Sequence, residues 1–331
     1  MISIQKRKLL ARTTQCALVL LAAGVPMFTP AAYAWPIKPI RIIVGFPAGS
    51  SPDVQARLIA EPLARALGQS VVVENKPGAS SNIAADAIAK AEDGHTIGVL
   101  GNGPLTSSKF LYAKLPYDPI TDFAPIALIG TAPLVWVTAK PATDRSVGSL
   151  ISQLKADGDK QAYGSVGAGS GSHLGMELLK QALGIGPIHV PFNGGPAILN
   201  AILGGQVQMT LLPASTVNSL VQSGKLEAVA VSSAKRSPLA PTLPSMEEIG
   251  AKGINIEVWN AVMAPASMPA AHKARLSQEL EKILTSQEIS QKLFLQGWKV
   301  DDASAKGLAV RIQQDTKIYS DIIARNKIKI D

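Results

Sequence analysis

The sequence predicts an α/β protein of two lobes, each built on a mostly parallel sheet covered on both faces. Three observations carry that expectation. Short apolar runs alternate with amphipathic stretches along almost the whole chain, the pattern of repeated βα units. One device occurs twice, well apart in the sequence: an apolar strand, a Gly/Ser-rich loop and the start of a helix, first at 40–53 and again at 163–174. And 331 residues, only 5% of them aromatic but rich in Ala, Gly, Val, Ile and Leu, suffice for two closely packed cores. A helix N-terminus carries unpaired N–H groups and a positive dipole end, a seat for an anion. Two such seats imply two lobes gripping one small anionic ligand.

The chain opens with Lys6, Arg7, Lys8 and Arg12, then an apolar run over 17–25, then Ala32-Tyr33-Ala34. That order is an export signal, expected to be cleaved after Ala34 and to place the protein in the periplasm. The run is too short to span a membrane. Cys16 is the single cysteine, so the exported chain is expected to hold no disulfide, thiol nucleophile or thiolate metal site. Four of the 32 basic residues leave with the signal, and the formal charge falls from +8 to +4 against 24 acids. The remaining charges are interspersed, which is a solvated surface and not a nucleic-acid footprint.

Strands are expected over 41–44, 71–74, 96–100 and 127–129, with helices over 54–67 and 83–90 between them. The first helix places Val54, Leu58, Leu63 and Leu67 broadly on one face and stops at Gly68. Near 134–138 the chain runs apolar, and a second alternating unit follows. Its expected helices are 149–155, 173–183, 196–203 and 216–223, and its strands 162–166, 188–190, 207–212 and 228–231. A helix-like stretch at 245–249 precedes an apolar run at 258–264, and amphipathic helices close the chain over 269–284, 287–296 and 305–325. The stretches at 134–137 and 258–263 are the candidates for crossover strands, which gives lobe 1 as 35–137 with 257–331 and lobe 2 as 138–256. The closing helices would pack on lobe 1.

Ligands of open α/β sheets bind beyond the carboxyl ends of the strands. The loops there are rich in Gly, Ser, Asn, Thr and Pro, donors that carry no charge. Ser51, Pro52 and Asp53 read as ordinary helix-start chemistry, and Gly49 allows close backbone approach. The run 167–172 nearly matches a dinucleotide fingerprint, but Ser172 replaces the third glycine and no acid follows the next strand. His173 is either a ligand contact or a loop anchor. It lacks a partner and a nucleophile elbow for catalysis. The other histidines, His95, His189 and His272, occupy unrelated places in the sequence, and His189 reads as a hydrogen-bonded core residue. No metal, no cofactor and no catalytic set is expected.

Several blocks carry a family resemblance: Val44-Gly45-Phe46-Pro47-Ala48-Gly49 with Asp53; Glu74-Asn75-Lys76-Pro77-Gly78-Ala79; Leu115-Pro116-Tyr117-Asp118 with Asp122-Phe123-Ala124-Pro125; Gly167-Ala168-Gly169-Ser170 with His173-Leu174; His189-Val190-Pro191-Phe192; Leu203-Gly204-Gly205-Gln206; and Ser232-Ser233-Ala234-Lys235-Arg236-Ser237. In that order, over nearly the whole exported chain, they resemble the Bug-type receptors, the extracytoplasmic solute-binding proteins of tripartite tricarboxylate transporters. The resemblance implies a type II-like two-lobe periplasmic-binding-protein fold with a hinged cleft, closing on a small organic carboxylate and presenting it to membrane transporter subunits. It implies contacts from Phe46, Ala48, Gly49, Ser51 and Asp53 with Asn102 and Gly103 nearby, and from Gly167, Ser170 and His173 with Phe192 and Asn193. Ser50 adds a hydroxyl donor if it faces the cleft.

The departures matter. Glycine is usual in the family where this chain has Ser50, Ser80, Ser81 and Ala84; serine tolerates positive φ poorly, so these backbones are ordinary or the loops are rearranged. Asn193 replaces a usual cation. Leu212 replaces an aspartate suited to a ligand ammonium, which points to an uncharged or apolar ligand substituent and not to an amino acid. A monomer is expected. The rivals are a signalling receptor, a periplasmic carboxylesterase using Ser170 and His173, and a cytoplasmic effector domain.

Overall fold

A computed structural model describes residues 35–140 and 146–329. The fold described is that of the unit that begins at Lys38. The expected export signal lies outside the described residues.

β1 (Ile40–Val44) pairs in parallel with β2 (Val71–Asn75) on one side and β3 (Thr96–Gly101) on the other. Helices α1 (Ser51–Leu67) and α2 (Asn82–Ala89) make the crossovers. Ile40, Ile42, Ile43 and Val44 are all fully buried, as an inner strand covered on both faces requires. α1 stops where Gly68 turns left-handed at φ +70 and its N–H returns to the Ala64 carbonyl. Two short helices, α3 (Asn102–Leu105) and α4 (Ser108–Leu111), follow β3 directly. Four residues each, they are too short to leave a periodic signal in the sequence.

β4 (Phe123–Ala139) is the long strand of the molecule. Up to Pro133 it pairs antiparallel with β9 (Glu257–Pro265), which lies beside β3. From Leu134 onward it pairs instead with β7 (Met209–Pro213) and β8 (Leu226–Val231). β5 (Ala162–Ser165) and β6 (Ile188–Pro191) continue in parallel beyond β7. Among the described residues the strand order is β2-β1-β3-β9-β4-β7-β5-β6, with β8 on β4. Helices α5 (Val147–Asp157), α6 (Gly171–Leu183), α7 (Gly195–Leu203) and α8 (Ala214–Gln222) connect this second set.

The expected strand at 127–129 and the apolar run at 134–137 are parts of this one strand, in which Pro125 and Pro133 also lie. The chain nevertheless stays extended. Pro125 borders a register shift, and Pro133 is the last residue paired to β9; a missing N–H is tolerated in such places. The helix expected at 245–249 is instead a run of turns: Ser245 bridges to Val231, and the Met246 N–H bonds the Val231 and Ser233 carbonyls.

Beyond Leu134, β4 alternates between two cores. Leu134 and Trp136 pack with Leu174, Leu179 and Leu211, whereas Val135 and Val137 pack with Ile198, Ile202 and Val217. On the β1 side, Ile43, Ile88, Leu100 and Trp259 share another cluster. Helices α9 (Ala270–Thr285) and α10 (Gln287–Leu295) lie against α1. The expectation that every closing helix packs on lobe 1 does not hold for α11 (Ala305–Arg325). Its Leu308 joins the Trp259 cluster, but Tyr319, Ile322 and Ile323 join that of Trp136 and Leu174. At 21 residues the helix is long enough to reach both.

Buried Asp315 fastens this helix. It accepts from the Trp259 indole at 2.6 Å and from the Arg311 guanidinium at 3.0 Å, and Arg311 reaches Glu257 at 3.2 Å. Asp315→Ala leaves the Trp259 indole N–H without its acceptor and the half-buried Arg311 with Glu257 alone. It is expected to cost roughly 2–4 kcal/mol, read as a melting temperature several degrees lower by calorimetry; an unchanged melting temperature would mean the bridge contributes nothing.

Candidate functional site

The carboxyl ends of the inner strands open onto a cavity of about 680 Å³, the open space at its mouth included. Four helices of two turns or more begin at its wall: α1 with Ser50, Ser51 and Pro52, α6 with Ser170, Gly171 and Ser172, α7 with Gly195, and α8 with Pro213 and Thr216. Gly101, Asn102 and Gly103 add the end of β3. None of the lining residues is charged. Apart from Ser80 and Asn260 the rest of the wall is mostly apolar, from Leu134, Leu211, Leu212, Val258 and the aromatic rings of Phe46 and Trp259. A carboxylate taken out of water costs several kcal/mol. One helix N-terminus returns only about 0.3–1 kcal/mol, up to about 2 when partly buried. Several converging ends are therefore needed, and the fold supplies them.

Each loop is held from behind. In the first, buried Asp53 accepts from the Gly49 N–H at 2.9 Å, from Asn75 Nδ2 at 2.9 Å and from Arg57 at 2.9 Å; Asn75 also donates to the Phe46 carbonyl at 2.9 Å. Burial raises the Asp53 pKa, but the hydrogen bonds from Arg57, Gly49 and Asn75 outweigh it and hold the carboxyl below its ordinary value. Asp53 thus works as the anchor of the Gly49 turn.

In the second loop, Ser170 caps α6. Its Oγ accepts from the His173 N–H and donates to the Gly167 carbonyl at 2.6 Å. The His173 ring accepts the Gly169 N–H on Nδ1 at 3.0 Å and stacks on His189 with ring centroids 4.0 Å apart. His189 stacks in turn on Tyr163 and shares a 2.6 Å hydrogen bond with Ser165 Oγ. Tyr163 donates to Glu177 at 2.6 Å, and Lys180 pairs with Glu177 at 2.8 Å. The two histidines, apparently unrelated in sequence, are thus neighbours. Burial lowers His173 to about 4 and His189 to about 3, so both rings are neutral at ordinary pH. Ser170 and His173 are spent on the turn itself, not arranged as nucleophile and base.

The two sides meet across the cavity. Ser51 Oγ lies 3.2 Å from Ser215 Oγ and 3.1 Å from Thr216 Oγ1; the Trp298 indole donates to Ser215 Oγ at 3.1 Å, and Ser107 donates to the Gly169 carbonyl at 2.6 Å. Trp298 lines the cavity and the sequence reading missed it. It stands in an irregular segment just past α10, with no motif around it; its isolated position offered no signal.

Of the residues expected at the site, Phe46, Ser50, Ser51, Asn102, Gly103 and Ser170 stand on the cavity wall. Ala48 and Gly49 are exposed in the same loop. Asp53 and His173 lie behind the wall as the anchors just described. Gly167 is buried under Ser80 across the cleft. Half-buried Phe192 packs on Gly164, and Asn193 is exposed. Leu212 faces the cavity. Ser50 and Ala84 have ordinary backbones, Ser50 at φ −73 and Ala84 inside α2. Ser80 and Ser81 do not: their φ angles are +54 and +75, and that of Ala79 is +45, each such residue storing on the order of 1–3 kcal/mol. Ser80 lines the cavity.

Residues 55–328 match the model of the tripartite tricarboxylate transporter family receptor. The chain belongs to this family. BugT of Bordetella pertussis is 35% identical over 269 residues, 80% of this chain and 82% of that protein. The solved structure of an R. palustris protein with adipate shares 30% identity at a TM-score of 0.85, covering 89% of this chain and all of the other. MatC of Rhodopseudomonas palustris with bound malate shares 28% at 0.82, covering 87% of this chain and all of MatC. This receptor accordingly has the two-lobe periplasmic-binding-protein fold and the solute-binding role of its family. Among the described residues no helix is long and apolar enough to cross a membrane, and no cluster of three metal-binding side chains occurs.

The stacked histidines set a pH dependence for the receptor. Their folded pKa values lie below the unfolded 6.5, so their contribution is complete above pH 6.5 and is lost as pH falls toward about 4 and then 3. The lowered carboxyls Asp53 and Glu177 lose their contribution only below their ordinary values of 3.8 and 4.5. Melting temperature should therefore already decline between pH 6.5 and 5, and His189→Gln should flatten that segment. An equally steep decline in the variant would assign it to other groups.

Proposed function

We propose that this receptor captures a small organic carboxylate with an uncharged, largely apolar body and presents it to the membrane subunits of a tripartite tricarboxylate-type transporter. The observation that carries the reading is the cavity wall: four helix N-termini, three of them bearing hydroxyls, apolar and aromatic surface between them, and no charged side chain. The adipate and malate held by two structural relatives support the same ligand class. The carboxylate sits at the turns of Ser51 and Ser170, and its body lies against Leu211, Leu212 and Val258. An ammonium would find no anion on this wall, and a third carboxylate would find no cation once the turns of Ser51 and Ser170 are occupied, so amino acids and tricarboxylates bind poorly. The protein works as an exported monomer, cut after Ala34, without turnover. Lobe 1 comprises 35–137 and 257–331, lobe 2 comprises 138–256, and ligand contacts made from both favour the closed cleft.

A thermal-shift series with adipate, malate, benzoate, citrate and aspartate tests this. A ligand at a hundred times its Kd adds about 2.7 kcal/mol and raises the melting temperature by several degrees. Adipate, malate or benzoate should do so, and aspartate and citrate should not; a shift with aspartate alone would overturn the ligand class. Leu212→Asp places a like charge beside the bound acid and should weaken it at least tenfold, roughly 1.4 kcal/mol, by isothermal calorimetry.

A further inference from the structure

The strained segment at 79–81 stands against the cavity. Ala79, Ser80 and Ser81 are consecutive left-handed residues; among the described residues the one other non-glycine with positive φ is Lys327, near the C-terminus. Side-chain-bearing residues hold this conformation only where the surroundings over-determine it. Two glycines do so here. The Ser81 side chain lies against Gly45, where any Cβ would overlap its Oγ, and the Ser80 side chain lies in the same way against Gly167 from the opposite side of the cleft. Ser81 Oγ and Asn82 Nδ2 are buried without a hydrogen-bond partner, although Asn82 Oδ1 accepts from the Tyr117 hydroxyl at 2.6 Å.

Ser80 is different from its neighbours. It lines the cavity, and its Oγ accepts a long hydrogen bond from the Tyr112 hydroxyl at 3.4 Å. A serine hydroxyl that accepts in this way still has its own proton to give. Gly167 beneath it opens the turn that leads to Ser170 and the α6 N-terminus. The hydroxyl is thus held beside the donors of α6 although it comes from the β2–α2 loop.

We infer that Ser80 is a ligand-contacting residue, which donates its hydroxyl proton to the carboxylate held at the α6 N-terminus, and that the strain of 79–81 is maintained to aim it. The inference rests on the carboxylate reading. It makes stability and affinity respond in opposite directions to one substitution. Glycine at position 80 relieves the backbone and removes the hydroxyl; alanine keeps the side-chain carbon and removes only the hydroxyl.

The test is calorimetric titration of wild type, Ser80→Gly and Ser80→Ala with adipate, malate and benzoate, beside melting temperatures without ligand. Ser80→Gly should melt a few degrees above wild type yet bind about tenfold more weakly, and Ser80→Ala should bind about tenfold more weakly without the gain in melting temperature. Unchanged affinity in Ser80→Ala overturns the inference, whatever the glycine variant does, because the hydroxyl would then contribute nothing. If wild type itself binds none of the three acids, the carboxylate reading fails and takes this inference with it; binding by wild type that both variants retain removes this inference alone.

Discussion

A carboxylate removed from water needs several hydrogen-bond donors at once, and on the cavity wall of this receptor none of them sits on a charged side chain. Neutral donors must be many, close together and fixed in direction. Backbone N–H groups at helix starts satisfy all three conditions, but only if several helices begin at one place. That requirement explains the Gly/Ser turns after β1 and β5, the starts of α7 and α8 on the same wall, and the left-handed Gly49, Gly167, Gly169 and Gly194 that let the chain turn so sharply.

Bringing those starts together depends on β4 and β9. β4 serves β9 along its first part and β7 and β8 along its last, so one strand fixes the carboxyl ends of two sets of βα units relative to each other. α11 reinforces this from outside, with Leu308 in one core and Tyr319 and Ile323 in another. Asp315 joins it to Trp259 of β9, whose ring also forms part of the cavity wall. The helix, the shared strand and the site are therefore mechanically one system.

Charge is kept behind the wall. Asp53 with Arg57, and Glu177 with Lys180, balance one another one layer away from the cavity. The same layer holds the neutral His173–His189 stack, whose ring nitrogens receive the Gly169 N–H and meet Ser165. A neutral imidazole can accept a backbone hydrogen bond where an imidazolium cannot. Burial, by keeping these rings uncharged, keeps the second turn in shape.

The replacement of an acid by Leu212 is legible only through the family resemblance, whereas the repeated strand–turn–helix device and the helix starts with Ser51 and Ser170 are written in local spacing, and each follows from steric or capping rules that act within a few residues. So are most helices and strands, and the exact limits of α11. Proximity between distant segments has no such local signature. Pro133 interrupts the run of backbone donors, yet β4 stays extended because its partner changes there. His173 and His189 became neighbours only once β5 paired with β6, Trp298 reached the cavity only through its bond to Ser215, and Asp53 and His173 proved to be anchors because their partners arrive from other turns of the chain. By itself the sequence determined which segments become strands, helices and anion-binding turns, since those choices are made by neighbours along the chain; only the tertiary structure decided which side chains face the ligand and which hold the wall in place, since that depends on which distant backbone each one meets.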